Sequence, residues 1–517
     1  MTRFAALVET SESVADTSAR LAKLQALAAC LRALEPDEVA TAVAFLAGET
    51  AQGRFGLTYA ALREAGASPA ADAPVLSIGE VDARLGALAA IRGSGSVARR
   101  SAALAELFGR ATPPERDFLV RLLVGELRQG ALGGAMLDAI AAAFAVPARE
   151  VRRAAMYAKT LGEVARVALD EGAAGLARFQ LELGSPIAPM LAQTAADVAE
   201  ALEQLGGELA FEWKMDGARV QVHRSGAAVR VFSRSSNEVT AAVPEVVELA
   251  LALPARELVL DGEVLAFAAS GRPHPFQVTM RRFGRKLDVE KSRAGLPLRA
   301  FFFDCMRLGG ESLADRPLRE RARALDAAIP EALRMPRLVT SSAEAAQSFY
   351  ESALAAGHEG VMAKSLDSPY EAGNRGASWL KIKRAHTLDL VVLAAEWGHG
   401  RRKGMLSNLH LGALDRASGA WVMLGKTFKG LTDEMLAWQT RELLARETRR
   451  EGITVQVRPE LVVEIAFSDL QDSPRYPGGL ALRLARVKRY RSDKRPEEAD
   501  DLDSVRRIHA AQSGEER

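Results

Sequence analysis

The sequence predicts a multidomain chain, with an all-α N-terminal domain, a mixed α+β domain and a small C-terminal β-barrel. Three observations carry this. Apolar residues recur at three- and four-residue steps through the first 180 or so residues, apolar–polar alternation sets in near residue 211, and short alternating runs broken by glycine follow residue 385. At 517 residues the chain also exceeds what one hydrophobic core serves, so two to four domains are expected. The expected limits are 1–182, 183–385 and 386–510.

In the first region Leu21, Leu24, Leu27, Leu31 and Leu34 form one apolar helix stripe. Pro36, Pro113-Pro114 and Pro147 punctuate similar stretches. A repeat lies here: LAGETAQGRFG at 46–56 and LVGELRQGALG at 123–133 share Leu, Gly-Glu, Gln-Gly and a final Gly at identical offsets. Taken alone, the repeat reads as a duplicated helix–turn–helix whose glycines permit tight helix ends. The sharper reading, for Gly53 and Gly130, is a pair of turns offering backbone N–H groups to phosphates.

The proline-bearing SPIAPMLAQ, from Ser185, reads as a linker. ARVQVHR, a Ser225-Gly226 turn and VRVFSR read as a hairpin, and ELVLDGEVLAF and LRAFFFDCMRL as further strands, with helices at 315–327 and 343–356. Beyond these, LDLVVLAAEWG, LHLGALD, WVMLGKTF and LVVEIAFSDL are short strands, interrupted by one helix from Asp433 to Glu451. That profile is a five-stranded barrel of the oligonucleotide-binding type.

Composition excludes several classes. No run of 18 uncharged apolar residues exists and MTRFAALVETSESVAD lacks a signal-peptide layout, so no membrane span and cytoplasmic residence are expected. Two cysteines, Cys30 and Cys305, cannot build a four-cysteine zinc site, and seven scattered histidines show no ligand spacing. Net charge is only +2, but basic runs at Arg281–Lys286, Lys381–Arg384, Arg401–Lys403 and Arg483–Arg495 together favour a polyanion ligand.

The chemistry centres on FEWKMDGARVQVHRSG, 211–226. Lys214 ends a strand-like alternation and is crowded by Asp216, Gly217 and Arg219. A lysine becomes a nucleophile by losing its proton, which burial and a neighbouring cation such as Arg219 encourage. A strand-end lysine paired with Asp216 is the plainer alternative. Further along stand Arg234 in VFSRSSNEV, Glu263 in LVLDGEVLAF and Phe303 in FFFDCMRLGG. GHEGVMAKSLDSPYEAGNRGASWLKIKR then supplies Glu359, Lys364, Arg375, Lys381 and Lys383.

This ordered set resembles the nucleotidyltransferase motifs of ATP-dependent DNA ligases, most closely the three-domain kind with a helical DNA-binding domain in front. The resemblance covers nearly the whole chain and is most specific from Glu359 to Lys383. It implies that Lys214 attacks the α-phosphorus of ATP and holds AMP as a phosphoramidate. It further implies that Glu212 accepts the adenine amino group, that Phe303 stacks on the adenine ring, and that Arg219 and Arg234 contact ribose and phosphate oxygens. Arg375 would contact the ATP phosphates, Glu263 the ribose or a metal, and Glu359 a divalent cation, with Mg²⁺ expected. Lys381 and Lys383, two apart on a strand, share a face and can reach one phosphate. In RLARVKRYRSDK, Arg483, Arg486, Arg491, Asp493 and Lys494 fit the family's pyrophosphate-facing motif. Leu484-Ala485 stands where that motif has Phe-Pro, which puts the local backbone shape in question.

The function implied is sealing of nicks in duplex DNA by a monomer, in replication, repair or recombination. The helical repeat would then straddle the nick. The alternatives are another covalent nucleotidyltransferase, of the RNA-ligase or capping type, and a non-catalytic DNA clamp. Capping gives no reason for 180 residues of repeated helix. A decayed clamp would have lost one of Lys214, Glu263, Glu359 or Lys381, and none is lost.

Overall fold

The computed structural model describes residues 1–17, 19–53, 55–67, 69–127, 132–285, 287–373, 376–384 and 386–513. Arg375, Gly130 and Lys286, singled out in the sequence, lie outside the described residues. The chain forms two compact units: Met1–Ile187 with Glu371–Gly373, and Ala188–Tyr370 with the chain after residue 373.

The first unit is helical around one core. Phe4 packs edge-on against Phe118 and Phe45, with ring centroids 5.5 and 6.2 Å apart, and Leu7, Leu46 and Leu119 close around them. Each such fully buried side chain contributes about 1.5–3 kcal/mol. The stripe beginning at Leu21 is core only in part: Leu27 and Leu31 are buried, whereas Leu21 is 66% exposed at the start of its helix, Arg20–Arg32. The expected punctuation at Pro113 is a helix start, where the Glu115 carboxylate accepts from the Thr112 backbone N–H at 2.8 Å. In the repeat, the first glycine of each copy follows a helix end. Gly48 comes after Val39–Leu46 and Gly125 after Pro113–Val124, both at φ +79°. Only glycine adopts that turn without strain, which favours the structural reading of these two positions.

The second unit begins with ten strands. They are β1 (Gln193–Thr194), β2 (Leu209–Lys214), β3 (Ala218–Ser225), β4 (Ala228–Ser233) and β5 (Glu257–Ala266). Then come β6 (Leu298–Leu308), β7 (Glu311–Ser312), β8 (Arg337–Thr340), β9 (Gly360–Ser365) and β10 (Trp379–Lys383). They make two five-stranded sheets, ordered β1-β10-β9-β2-β8 and β4-β3-β5-β6-β7. One face of the first sheet buries Phe211, Val361, Leu380 and Ile382 against the helices Val198–Leu205 and Ala343–Ala355. The second buries Val220, Val222, Leu260 and Phe302 against the helices Pro244–Ala252 and Leu318–Ala328. The expected hairpin is β3–β4, turning at Gly226 with φ +61°.

A barrel follows, with more strands than expected. Its strands are β11 (His386–Trp397), β12 (Leu406–Asp415), β13 (Ala420–Thr427), β14 (Glu447–Glu451) and β15 (Thr454–Val457). They continue as β16 (Val462–Phe467), β17 (Asp469–Asp472), β18 (Leu480–Arg483) and β19 (Arg486–Tyr490). Seven strands form one sheet and β17–β18 a separate hairpin, in place of five. β11 is long enough to pair with β16 along one half and with β15 along the other, which curls the sheet around Leu390, Val392, Leu409, Leu411 and Ile465. The helix expected to reach Glu451 stops at Ala445, because Gly452 at φ +58° turns β14 back onto β15. No described helix is long and apolar enough to cross a membrane.

Candidate active site

Register assembles the site. On β2, β9 and β10 the cross-strand partners are Glu212 with Met362, Lys214 with Gly360, Lys381 with Met362 and Lys383 with Gly360. Side chains alternate along a strand, so Glu212, Lys214, Lys364, Trp379, Lys381 and Lys383 share the face opposite the helices. Gly360 sits between Lys214 and Lys383 at φ +141°, and a Cβ there would come within 2.1 Å of the Ile382 carbonyl oxygen. On the second sheet Arg219 lies opposite Glu263, which in turn lies opposite Phe301.

Lys214 is held among carboxylates. Its Nζ lies 2.9 Å from Glu359 Oε2, and Lys383 Nζ donates to Glu359 Oε1 at 2.6 Å. Burial lowers the Lys214 pKa, but the negative charges of Glu359 and Glu263 more than offset it, and the net shift is upward. The net direction in the free protein is thus opposite to the sequence expectation of a lysine deprotonated by burial beside Arg219. Lys383 shifts downward, first through burial and then through the Lys214 charge.

Arg219, for which the resemblance implies contact with ribose and phosphate oxygens, is held by Asp261 in the free protein. Asp261, two residues before Glu263 on the same face of β5, accepts from Arg219 Nε at 3.0 Å and Nη2 at 2.7 Å. The guanidinium also donates to the Met190 carbonyl at 2.7 Å and to the Tyr370 hydroxyl at 3.2 Å. Met190 thereby ties the expected linker into the fold.

Glu212 is buried; its Oε1 accepts from Arg337 Nε at 2.8 Å, and its Oε2 forms an ion pair with Lys364 Nζ at 2.5 Å. A second lone pair on each oxygen remains for a nucleobase amino group. The Lys364 ammonium lies 4.5 Å from the Phe303 ring centroid and 4.1 Å from that of Trp379. Arg234 stands exposed in the turn after β4.

The barrel reaches this cluster through Arg483, whose Nη1 donates to Asp216 Oδ2 at 2.5 Å. Its companions do not join it there. Arg486 is exposed on β19, Asp493 is bound to Arg491, and Lys494 Nζ donates to Asp389 Oδ2 at 2.6 Å within the barrel. Leu484, at the departure from the family pattern, takes φ +57° and is 55% exposed, while the Ala485 carbonyl accepts from Thr427 Oγ1 at 2.6 Å. Of the basic runs, Arg282 is buried on Glu245 and belongs to the framework.

Asp216, Glu359 and Lys383 border a cavity of about 660 Å³, which Phe276, Gln277 and Asp469 also line. Burial raises the pKa of Asp216, and that of Asp469 to about 6, although the Arg483 charge opposes both shifts. An all-oxygen donor set of this kind fits a hard divalent cation whose remaining ligands come from a nucleotide and water. Among the described residues no three His, Cys, Asp or Glu side chains converge on one metal position by themselves.

Burial also pushes Glu263 up to about 7, against the pull of Lys214 and Arg219, while its Oε1 accepts from the Gly217 N–H at 3.2 Å. A carboxylate whose pKa is raised on folding favours the folded state below its ordinary range and loses that contribution as pH rises through 7. Glu263→Gln should therefore melt higher than the parent at pH 8, by about 1–2 kcal/mol after solvent screening. The difference should close toward pH 5, as calorimetry across that range will show.

The sequence passed over Asp261, Tyr370, Trp379, Phe276 and Phe428. Phe428 is 54% exposed between Arg402 and Lys429, whose charges lie 6.0 and 5.9 Å from its ring centroid. An exposed aromatic flanked by two cations is the one signal of the five that alternation and charge make legible.

A lysine ringed by carboxylates, three more lysines on its face and an arginine reaching in from a barrel define a site that handles nucleotide phosphates. The comparisons with known proteins narrow this. Residues 189–383 match the ATP dependent DNA ligase domain, 402–494 its C terminal region and 49–141 the DNA ligase N terminus. A probable DNA ligase of Anaeromyxobacter sp. (strain Fw109-5) is 62% identical over 517 residues, covering 100% of this chain and 99% of that protein. Probable DNA ligases of Sorangium cellulosum (strain So ce56) and Mycolicibacterium gilvum (strain PYR-GCK) are 57% and 56% identical, over 98% and 96% of this chain and 95% and 98% of theirs. The chain belongs to the ATP-dependent DNA ligase family. The solved structure Pmar-Lig_PreS3 aligns with a TM-score of 0.60 at 19% identity, over 94% of this chain and 99% of that one, and supports the three-part fold. The capping-type enzyme and the catalytically inert clamp are not favoured.

Proposed function

We propose that this ligase seals nicks in double-stranded DNA as a monomer in the cytoplasm, with Lys214 as the nucleophile and Mg²⁺ as the working cation. The division 1–182, 183–385 and 386–510 into DNA-binding, adenylation and barrel domains belongs to the same reading. The observation that carries it is the Lys214–Glu359–Lys383 cluster, whose Glu359 and Lys383 line a cavity together with Asp216, the carboxylate that Arg483 reaches from the barrel.

In the first step the amine of Lys214 forms a bond to the α-phosphorus of ATP and pyrophosphate leaves on the opposite side. Lys214 must first release its proton, and the same carboxylates that hold the ammonium oppose that. A divalent cation would be held by Glu359, with Glu263 and Asp216 nearby, and when bound it would neutralise charge on the phosphates. Positive charge at Glu359 would also weaken its hold on the Lys214 ammonium. Lys381 and Lys383 orient phosphate oxygens, Glu212 receives the adenine amino group and Phe303 offers its ring face, a contact of about 1 kcal/mol. AMP then passes to the 5′-phosphate of the nick, and the 3′-hydroxyl displaces it. The exposed Phe428 between Arg402 and Lys429 suits contact with unstacked bases and phosphates.

Incubation with α-labelled ATP, GTP or NAD, followed by a nicked duplex, tests this reading. ATP alone should label the protein, and the label should move to DNA. A fragment beginning at Ser185 should still take up label but bind nicked DNA at least about tenfold more weakly, with a flatter salt dependence, because phosphate contacts release counterions. Equal nick affinity in the fragment would refute the DNA-binding role of the helical domain.

A further inference from the structure

Besides the Arg483–Asp216 pair, the barrel hairpin β17–β18 meets the adenylation domain on the first turn of one helix, Phe276–Phe283. The Arg483 guanidinium lies 4.3 Å from the Phe276 ring centroid, and Gln277 Nε2 donates to Gln471 Oε1 at 2.9 Å. Asp469, the cross-strand partner of Arg483, closes the same cavity wall.

That helix is anchored more firmly than its eight residues suggest. Arg282, buried, donates to the Ala242 carbonyl at 2.9 Å and to Glu245 Oε1 at 2.7 Å. The Thr279 hydroxyl accepts from the Ala266 N–H at the end of β5, at 3.2 Å. Phe276 is therefore presented from a fixed base.

A planar guanidinium has two orientations to fix, its edge and its face. Asp216 holds the edge, through Nη1 at 2.5 Å and Nη2 at 3.5 Å. Phe276 holds the face. With both in place, the side chain is limited to one plane beside Asp216, where the charges of Glu359 and Asp469 also act on it. Position along the strands gives that place a meaning. Glu212, Lys214 and Asp216 succeed one another outward along the chain, as do Trp379, Lys381 and Lys383 on β10, from the expected base end toward the cavity. The phosphates beyond the α-position fall at the cavity end.

We propose that Phe276 is a positioning residue for the self-adenylylation step: its ring fixes the plane of Arg483 toward the pyrophosphate portion of ATP, with the Gln277–Gln471 bond setting the hairpin's register. This rests on the reading of Lys214 as the AMP acceptor. The step forms the Lys214 Nζ–phosphorus bond and breaks the phosphorus–oxygen bond to pyrophosphate. In reverse, a pyrophosphate oxygen re-forms that bond, and Nζ takes up the attacking group's proton as it leaves as the amine. Phe276 should matter in both directions.

The test uses the full chain with Phe276→Ala, Phe276→Leu and Phe276→Trp. Adduct formation with labelled ATP, and adduct discharge by inorganic pyrophosphate, are each followed across ligand concentration. Loss of the cation–ring contact should raise the half-saturating concentration of both ligands about five- to thirtyfold in the Ala and Leu variants. Trp should restore values near the parent's. Sealing of a pre-adenylylated nick should suffer less than loading. Leu separates the two explanations, since it keeps apolar volume without a ring face. A Leu variant that matches the parent, or equal loss in loading and sealing, would overturn the proposal. A parent protein that forms no adduct with ATP would instead refute the underlying assignment of Lys214.

Discussion

Lys214→Ala should leave no labelled protein after incubation with α-labelled ATP, a loss of loading on the order of a thousandfold or more. Lys214→Arg should fail equally. Arginine keeps the positive charge opposite Glu359, 2.9 Å from the native Nζ, so the carboxylate cluster stays balanced and the protein folded. A guanidinium does not release its proton at any working pH and cannot supply the nucleophile. Both variants should still seal, slowly, a nick supplied already adenylylated, because that step uses the DNA 3′-hydroxyl. A labelled band in either variant, resistant to denaturation, would show that another side chain accepts AMP.

Arg321→Met should cost the adenylation domain about 3–5 kcal/mol, a fall in its melting temperature of about 8–15 °C. Arg321 and Asp304 are both fully buried and joined twice, Nε to Oδ1 at 2.8 Å and Nη2 to Oδ2 at 3.1 Å. Arg321 also donates to the carbonyls of Arg316 and Ser368 at 2.6 and 3.0 Å. Burial alone would raise the Asp304 pKa, but the Arg321 charge outweighs it and the net shift is downward. Such a carboxylate adds stability above its ordinary range and loses it as pH falls below. Without Arg321 the sign reverses, so the variant's deficit should shrink from pH 8 to pH 5 as Asp304 takes up a proton. Replacing both residues, as Arg321→Met with Asp304→Leu, should recover much of the loss. Asp304 follows Phe303 directly on β6, so calorimetry should be paired with ATP loading. A single variant that melts within 3 °C of the parent would contradict the buried-pair account.

How far the sequence reached can be judged element by element. The β3–β4 hairpin, β5, β6 and the helices near 318 and 343 were legible because alternation and three-to-four spacing are local properties of the chain. β14 was not. Glu447 to Glu451 is polar and continues a helical run, and only Gly452 and the pairing with β15 make it a strand. The basic run from Arg483 likewise showed charge but hid β19, whose one deeply buried side chain is Val487.

The site divides the same way. The sequence by itself put Lys214 at a strand end, placed Lys381 and Lys383 on one face, and ordered the motifs through Glu359, because each follows from a period of two or from fixed spacing within one segment. Only the tertiary structure decided which charges meet. Asp216 and Arg483 are paired across 267 positions, and Glu359 lies between Lys214 and Lys383 because β9 runs beside both β2 and β10. Arg219, five residues from Lys214, faces Asp261 instead, on the other sheet. The physical reason is that a side chain's direction is set by its own strand, whereas its partner is set by register and by the docking of separate sheets. Electrostatics follows the partner: proximity in sequence to a cation suggested a depressed lysine pKa, and proximity in space to three carboxylates raised it.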